Sequence, residues 1–112
     1  MLDKLRRRLG HPEALGLTLD IGHIVCLEPM SVTECVRRGR PVHVHLEDMR
    51  RGVHEHLFFG EGELDLDETL RVLTEIDYRG MVAVELSRHA HAAHEMVPGA
   101  MAAIRASERE LV

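Results

Sequence analysis

The sequence predicts an α/β fold, a partial (β/α)8 barrel in which three strand–helix units follow an initial helix. Segments with alternating apolar residues recur at 15–20, 42–47 and 81–86, and segments with helical signals lie between and after them. Parallel neighbouring strands need a crossover connection, which a helix supplies, so this order favours a parallel sheet. The polar groups that these strands carry on one face favour a barrel over an open sheet.

One face of the predicted strands is apolar and the other collects polar groups. The helix side carries Leu15, Leu17, Leu19, Val42, Val44, Leu46, Val82, Val84 and Leu86. The opposite side carries Gly16, Thr18, Asp20, His43, His45, Glu47, Met81, Ala83 and Glu85. A sheet covered by helices on both sides would need two apolar faces, so the polar face is typical of a barrel interior. Glu47 is expected to reach solvent at its strand end.

The first half of the chain carries signals for a helix, a strand and a second helix. Residues 2–9 alternate apolar and basic residues at helical spacing, and Gly10 ends that helix. After the strand at 15–20, Ser31 and Glu34 form a capping box that opens a short helix, which Gly39 ends. This is the first strand–helix unit.

The second half repeats this order twice. The strand at 42–47 is followed by a glycine-rich loop and a helix from Asp67 to Asp77. The strand at 81–86 is followed by an alanine-rich helix from His91 to Arg109, which the Pro98-Gly99 pair is expected to kink or break.

Length and charge restrict the class of protein. The chain has 112 residues with 45% hydrophobic content, which predicts one domain over residues 1–112. The net charge of −5 disfavours a nucleic-acid partner. No apolar stretch approaches the roughly 20 residues that span a bilayer, and the first residues lack an apolar segment before a small-residue cleavage site. We therefore expect no membrane contact and a cytoplasmic location. Cys26 and Cys35 are expected to be buried reduced thiols.

Nine histidines are unusual for this length, and neutral imidazole is the commonest metal ligand. Asp20 and His23 alone favour an aspartate that caps a turn beside a surface histidine. His45 and Glu85, however, lie at matching strand ends, where barrel active sites are built. The four side chains form a mixed oxygen and nitrogen set suited to Mn²⁺, Mg²⁺, Co²⁺, Zn²⁺ or Fe²⁺. They predict a divalent metal site.

Four segments carry a family resemblance. Residues 17–23, 43–48, 60–65 and 82–86 have the sequences LTLDIGH, HVHLED, GEGELD and VAVEL. In this order and spacing they resemble the last three strands of the xylose isomerase-like TIM barrels. That superfamily includes sugar-phosphate isomerases and epimerases and the endonuclease IV type of apurinic endonuclease. The resemblance extends from about residue 15 to residue 104.

The resemblance implies roles for individual residues. Asp20, His45 and Glu85 would be metal ligands, and His23 would be a ligand or a substrate contact. In the isomerase branch a divalent ion binds adjacent oxygens of an α-hydroxy carbonyl sugar and acidifies the C–H between them, while carboxylates move the proton. Glu85 would be one such acid/base group, and His23 is the second catalytic candidate. The carboxylate partner of Glu85 would belong to a fifth-strand segment outside this sequence.

His54 and His56 are further metal-ligand candidates. Alternate residues of an extended segment point the same way, so both imidazoles could reach one ion. The endonuclease IV branch has a metal-binding Asp-x-His at this place, and His54 here replaces the aspartate. A solvated polar loop is the alternative interpretation.

His43 and Arg88 are candidates for substrate binding. His43 lies two residues before His45 on the same face and could equally be a hydrogen-bonded core histidine. The guanidinium of Arg88 matches the oxygens of a sugar phosphate, and a salt bridge is the alternative.

The leading hypothesis is the carboxyl-terminal portion of a metal-dependent sugar or sugar-phosphate isomerase or epimerase, with a small-molecule sugar as substrate. A zinc phosphodiesterase of the endonuclease IV type is the second hypothesis, which the acidic charge disfavours. A non-catalytic remnant or subunit is the third. Because three strands cannot close a barrel of eight, we expect either a homo-oligomer or an amino-terminal barrel half that this sequence lacks.

Overall fold

The structure is a computed structural model, and it describes residues 2–111. Met1 and Val112, the ends of the predicted domain, lie outside the described residues, and a single domain over 1–112 stays a prediction. The helices are α1 (Leu2–Arg8), α2 (Ile21–Leu27), α3 (Val32–Gly39), α4 (Leu66–Glu75), a 3-10 helix (Ser87–Ala92) and α5 (Ala93–Glu110). The strands are β1 (Thr18–Asp20), β2 (His43–Leu46), β3 (Asp48–Arg50), β4 (Val53–Leu57) and β5 (Met81–Val84).

The three predicted strands form one parallel sheet in the order β1-β2-β5, which confirms the α/β fold class. In this register Asp20 pairs with His45, and His45 pairs with Ala83. The backbone N–H of Glu85 donates to the carbonyl of Leu46 at 3.1 Å, which continues the ladder beyond β5. The carboxyl ends of the three strands therefore meet at one edge of the sheet.

The helices cover the apolar face of this sheet, as its alternation predicts. Val44 and Leu46 of β2 are fully buried there. The core consists of Ile21, Ile24, Val36, Val44, Leu46, Leu70, Val72 and Leu73. On the opposite face Thr18 is exposed and Met81 is 67% exposed, so this face stays open in the isolated chain.

Two elements were not expected from the sequence. Helix α2 begins immediately after β1, because the side chain of Asp20 caps it by accepting the backbone N–H of His23 at 3.0 Å. The predicted glycine-rich loop contains an antiparallel hairpin of β3 and β4, which Gly52 allows to turn with a φ of 74°. Helix α2 packs against β3, so the hairpin folds over the strand ends.

The later helices differ from prediction mainly at their ends. Asp65 caps α4 by accepting the backbone N–H of Glu68 at 2.9 Å. The last helical segment begins as a 3-10 helix at Ser87, and α5 then continues through Pro98. Of the two expectations there, a kink or a break, the break is wrong. Within the described residues, no helix combines the length and the apolar composition needed to cross a membrane.

Candidate metal centre

The strand ends and the hairpin bring seven potential metal ligands to one side of the sheet. Most of them come from the ends of the parallel strands or from the first turn of α2, and two project from β4. They are Asp20, His23, His45, Glu47, His54, His56 and Glu85. Their ligand atoms form three groups, within each of which all distances are at most 4.8 Å.

The first group consists of Asp20 of β1, His45 of β2 and Glu85, which directly follows β5. The Nδ1 atom of His45 lies 3.4 Å from a carboxylate oxygen of Glu85. All three side chains are partly exposed, so a cation and a small substrate can reach them. This group contains three of the four residues in the predicted metal site.

His23, the fourth residue, lies between the first group and a second one. Its Nδ1 is 3.3 Å from Oδ2 of Asp20, while Oδ1 of Asp20 caps α2. Asp20 thus performs the turn-capping role and also presents its other oxygen to the site. The Nε2 of His23 lies 2.7 Å from Nε2 of His54. His23 could therefore bind a cation with either neighbour.

The second group consists of His23, His54 and His56, whose ligand atoms also converge within 4.8 Å. His54 and His56 alternate along β4, and their rings lie 5.3 Å apart. The prediction that both imidazoles lie on one side of an extended segment matches this geometry, while metal binding stays a prediction.

The loop after β4 is fixed by Asp48, which is buried. Its carboxylate accepts three backbone N–H groups, from Gly60 and Gly62 at 3.0 Å and from Leu64 at 2.9 Å. A methyl group on Gly62 would overlap this carboxylate, so glycine is required at that close approach. Asp48 therefore has a structural role. Because it holds the loop after β4, the candidate ligands are not needed for that role.

The third group contains Glu47, together with His56 and Glu85. The expectation that Glu47 reaches solvent is wrong: its side chain is 0% exposed. Helix α2 and the hairpin cover the strand end, and Gly22 lies so close that a methyl group there would overlap the Glu47 carboxyl. The Oε1 atom of Glu47 is 3.9 Å from Nδ1 of His56.

Burial is the largest cause of the raised pKa of the Glu47 carboxyl. Loss of solvation, the adjoining Asp20 carboxyl, with which Glu47 can share a proton, and the negative charges of Asp20 and Glu85 together raise the pKa of Glu47 to about 9. Burial also opposes ionisation of Asp20. A proton shared with Glu47, the hydrogen bond from the His23 amide and the nearby charges of His23 and His45 outweigh that effect and lower the pKa of Asp20. The two carboxyls can thus share one proton in the absence of a cation.

The two substrate-binding candidates lie outside the three groups. His43 makes an edge-to-face contact with His45, with the ring centres 4.9 Å apart. Arg88 forms an ion pair with Glu55 of β4, at 3.3 Å. A salt bridge was the alternative to phosphate binding in the sequence analysis.

Comparisons with known proteins place this geometry in a family. The family described as "Xylose isomerase-like TIM barrel" matches residues 1–107 of the chain. The chain belongs to the xylose isomerase-like TIM barrel family. Among curated proteins, the uncharacterized protein MJ1311 of Methanocaldococcus jannaschii is 36% identical over 74 residues, which are 63% of this chain and 25% of that protein.

Two solved structures share the fold of this xylose isomerase-like chain. A xylose isomerase domain protein from Planctomyces limnophilus matches with a TM-score of 0.68 and 21% identity, over 93% of this chain and 41% of that one. A D-tagatose 3-epimerase-like protein matches with a TM-score of 0.58 and 27% identity, over 88% of this chain and 40% of that one. The chain therefore spans about two-fifths of the solved structures and a quarter of the curated relative.

Glu47 is the member of these groups of candidate ligands that sequence reasoning missed. Its alternation with His43 and His45 placed it on the inner face, which was a sufficient signal for a site residue. Its exposure was misjudged because neither α2 nor the hairpin had been recognised.

Proposed function

We propose that this chain supplies three strand ends of the active site of a metal-dependent sugar or sugar-phosphate isomerase or epimerase. The observation that carries the proposal is the convergence of Asp20, His45 and Glu85 within 4.8 Å at the carboxyl ends of adjacent parallel strands. Active sites of (β/α)8 barrels lie at this end. The family and the epimerase-like structural relative support the same class.

The residues present fit a divalent cation. Two carboxylates and one imidazole provide the mixed ligand set that Mn²⁺, Mg²⁺, Co²⁺, Zn²⁺ and Fe²⁺ accept. Buried beside them, the Glu47 oxygens and Nδ1 of His56 have no N–H or hydroxyl partner among the described residues, so their lone pairs are available to a cation. Asp20, His45 and Glu85 would hold the ion, and His23 would be a further ligand or a substrate contact.

A bound divalent ion would polarise a substrate carbonyl and make the neighbouring C–H more acidic. Glu85 is 40% exposed and would take up and return that proton, as a positioned carboxylate does in general acid–base catalysis. His23, held by the Asp20 carboxylate, would donate a proton or a hydrogen bond to a substrate oxygen. His43 would contact the sugar. Arg88 would contact the phosphate after breaking its ion pair with Glu55.

Hydrogen exchange tests this proposal without requiring complete turnover. The chain is loaded with Mn²⁺ and incubated in deuterated water with a panel of ketoses and ketose phosphates, and exchange at the carbon beside the carbonyl is followed by NMR. We expect exchange in the parent chain and in Glu61→Gln, an exposed control, and its loss in Glu85→Gln. Equal exchange in Glu85→Gln and the parent would refute the role of Glu85.

A zinc phosphodiesterase is the second candidate, favoured by the cluster of His23, His54 and His56. Three imidazoles suit Zn²⁺. Cleavage of a duplex with an abasic site in the presence of Zn²⁺, lost in His54→Ala, would support this activity over isomerisation.

The open face of the sheet favours an additional chain or chain segment that packs against it. Met81 is 67% exposed on the face where a barrel has its interior. We propose that a second copy or another chain segment covers this face in the working protein, and that the protein acts in the cytoplasm. The alternative of a non-catalytic subunit predicts metal-independent association and no hydrogen exchange with any sugar.

A further inference from the structure

Glu47 is the most unusual buried group of the chain. Its side chain is 0% exposed, and among residues 2–111 neither carboxyl oxygen has an N–H or hydroxyl partner. The neighbouring carboxyl of Asp20 can pair with it only through a shared proton. Burial of a carboxyl without a donor is strongly unfavourable, so either a proton or a cation must compensate it.

The next residue provides an internal contrast. Asp48 is equally buried, yet its two oxygens accept the backbone N–H groups of Gly60, Gly62 and Leu64. This carboxylate is satisfied by the protein itself. Glu47 has no such partners in the same environment, so its orientation cannot be explained by loop organisation.

A second unpartnered atom faces Glu47. The Nδ1 atom of His56 is buried without a hydrogen-bond partner among the described residues, and it lies 3.9 Å from Oε1 of Glu47. In the tautomer of His56 that carries its proton on Nε2, both atoms offer lone pairs, which do not stabilise each other but can share a cation. A carboxylate oxygen of Glu85 completes a group whose ligand atoms all lie within 4.8 Å.

The backbone leaves room for this arrangement. Gly22, in the first turn of α2, lies against the Glu47 side chain, and a methyl group at this position would overlap the carboxyl. The absence of a side chain at residue 22 thus permits the buried carboxyl to occupy its position.

We propose that Glu47, His56 and Glu85 hold a second divalent cation, of the transition-metal class that accepts mixed carboxylate and imidazole ligands. Glu85 also belongs to the group with Asp20 and His45, so it would bridge the two cations. Paired metal sites commonly have ions about 3.5–4 Å apart. The inference shares Glu85 with the proposed function but does not depend on sugar chemistry.

Glu47→Gln is the discriminating variant, because Glu47 belongs to one group of ligands only. The amide keeps the size of the side chain and removes its charge. Binding of Co²⁺ to the full chain is measured by isothermal titration calorimetry and by metal content after dialysis. Asp20→Asn tests the first group, His54→Ala tests the histidine cluster, and exposed Glu61→Gln is the matched control. Circular dichroism verifies that each variant is folded.

We expect one Co²⁺ per chain to be lost, or bound about tenfold more weakly or worse, in Glu47→Gln and retained in His54→Ala and Glu61→Gln. The Glu47-dependent ion should persist in Asp20→Asn. If that ion persists and Asp20→Asn loses no ion of its own, the proposed function fails while this inference stands. Unchanged Co²⁺ binding in Glu47→Gln, or no binding by the parent chain, would overturn the inference. In that case the shared proton with Asp20 compensates Glu47.

Spectroscopy gives a second test. In the chain loaded with Mn²⁺, a Glu85 bridge should produce an electron paramagnetic resonance spectrum of two coupled ions. Glu47→Gln should convert it to the spectrum of isolated Mn²⁺, and Glu61→Gln should not. A spectrum of isolated ions in the parent chain would contradict the bridge.

Discussion

Asp20 pairs with His45 across the parallel strands β1 and β2, so their side chains emerge side by side from the same edge of the sheet. Glu85 follows two residues after Ala83, the β5 partner of His45. The ends of three strands therefore contribute one candidate ligand each without any long-range loop arrangement. Because the sheet fixes these positions, the arrangement does not require a bound cation, and its effects on stability can be measured in the metal-free chain.

The first prediction concerns the pH dependence of that stability. The pKa of Glu47 is raised to about 9 in the folded chain, from an ordinary value of 4.5. The folded state then binds a proton more tightly than the unfolded state between these two values, so its stabilising contribution is complete below pH about 4.5 and is lost as pH rises toward 9. Urea unfolding in a chelator should show stability that falls across this interval.

Glu47→Gln carries no titrating carboxyl, so its stability should fall less steeply over the same interval. Glu61→Gln should keep the slope of the parent chain. Asp20 affects stability at acidic pH. Its lowered pKa contributes stability that is lost only as pH falls below the usual range of a carboxyl. Parallel curves for Glu47→Gln and the parent would contradict the assigned burial of Glu47.

The second prediction concerns Asp48. Asp48→Asn keeps the shape of the side chain but removes the charge and replaces one acceptor oxygen by a donor, which faces backbone N–H groups. We expect the free energy of unfolding to decrease by about 2–3 kcal/mol, as for loss of buried hydrogen bonds to a charged group. Asp77→Asn, at an exposed ion pair with Arg79, should change it by less than about 0.5 kcal/mol. Equal effects of the two substitutions would contradict the structural role of Asp48.

The third prediction concerns the contact of Gly22 with Glu47. In an ordinary helix, replacement of glycine by alanine stabilises by up to about 1 kcal/mol. Here Gly22→Ala should destabilise, because the new methyl group overlaps the Glu47 carboxyl. In the Glu47→Ala background the same substitution should become neutral or stabilising. A double-mutant cycle of unfolding free energies measures this coupling, and additive effects would show that the two residues do not meet.

Much of this site follows from strand alternation alone. Alternation assigned Asp20, His45 and Glu85 to one face and one end of a parallel sheet, since side-chain direction has a period of two and parallel strands end together. Helix α2 was missed because one residue, Asp20, both ends β1 and caps the helix, so no separate boundary signal exists. The hairpin was missed because Gly52 looked like one glycine among several in a loop.

The burial of Glu47 could not be read from its own strand. Parity placed it correctly, but exposure depends on which elements cover the strand end, and those are α2 and the hairpin. His23 and His54 are 31 residues apart in the sequence, and their contact depends on the packing of the β3–β4 hairpin over the strand ends. Sequence patterns report local direction well, whereas contacts between distant segments require the tertiary arrangement.

The convergence of Asp20, His45 and Glu85 into one cation site is the central claim, and metal content tests it most directly. The parent chain, Asp20→Ala and Glu85→Ala are equilibrated with Mn²⁺, Co²⁺ or Zn²⁺ and passed through size exclusion, and metal per chain is measured by mass spectrometry on the peak of known molar mass. We predict stoichiometric metal in the folded parent, with loss of the Asp20-dependent ion in both variants. A folded parent without metal, or variants that retain all of it, would contradict the account.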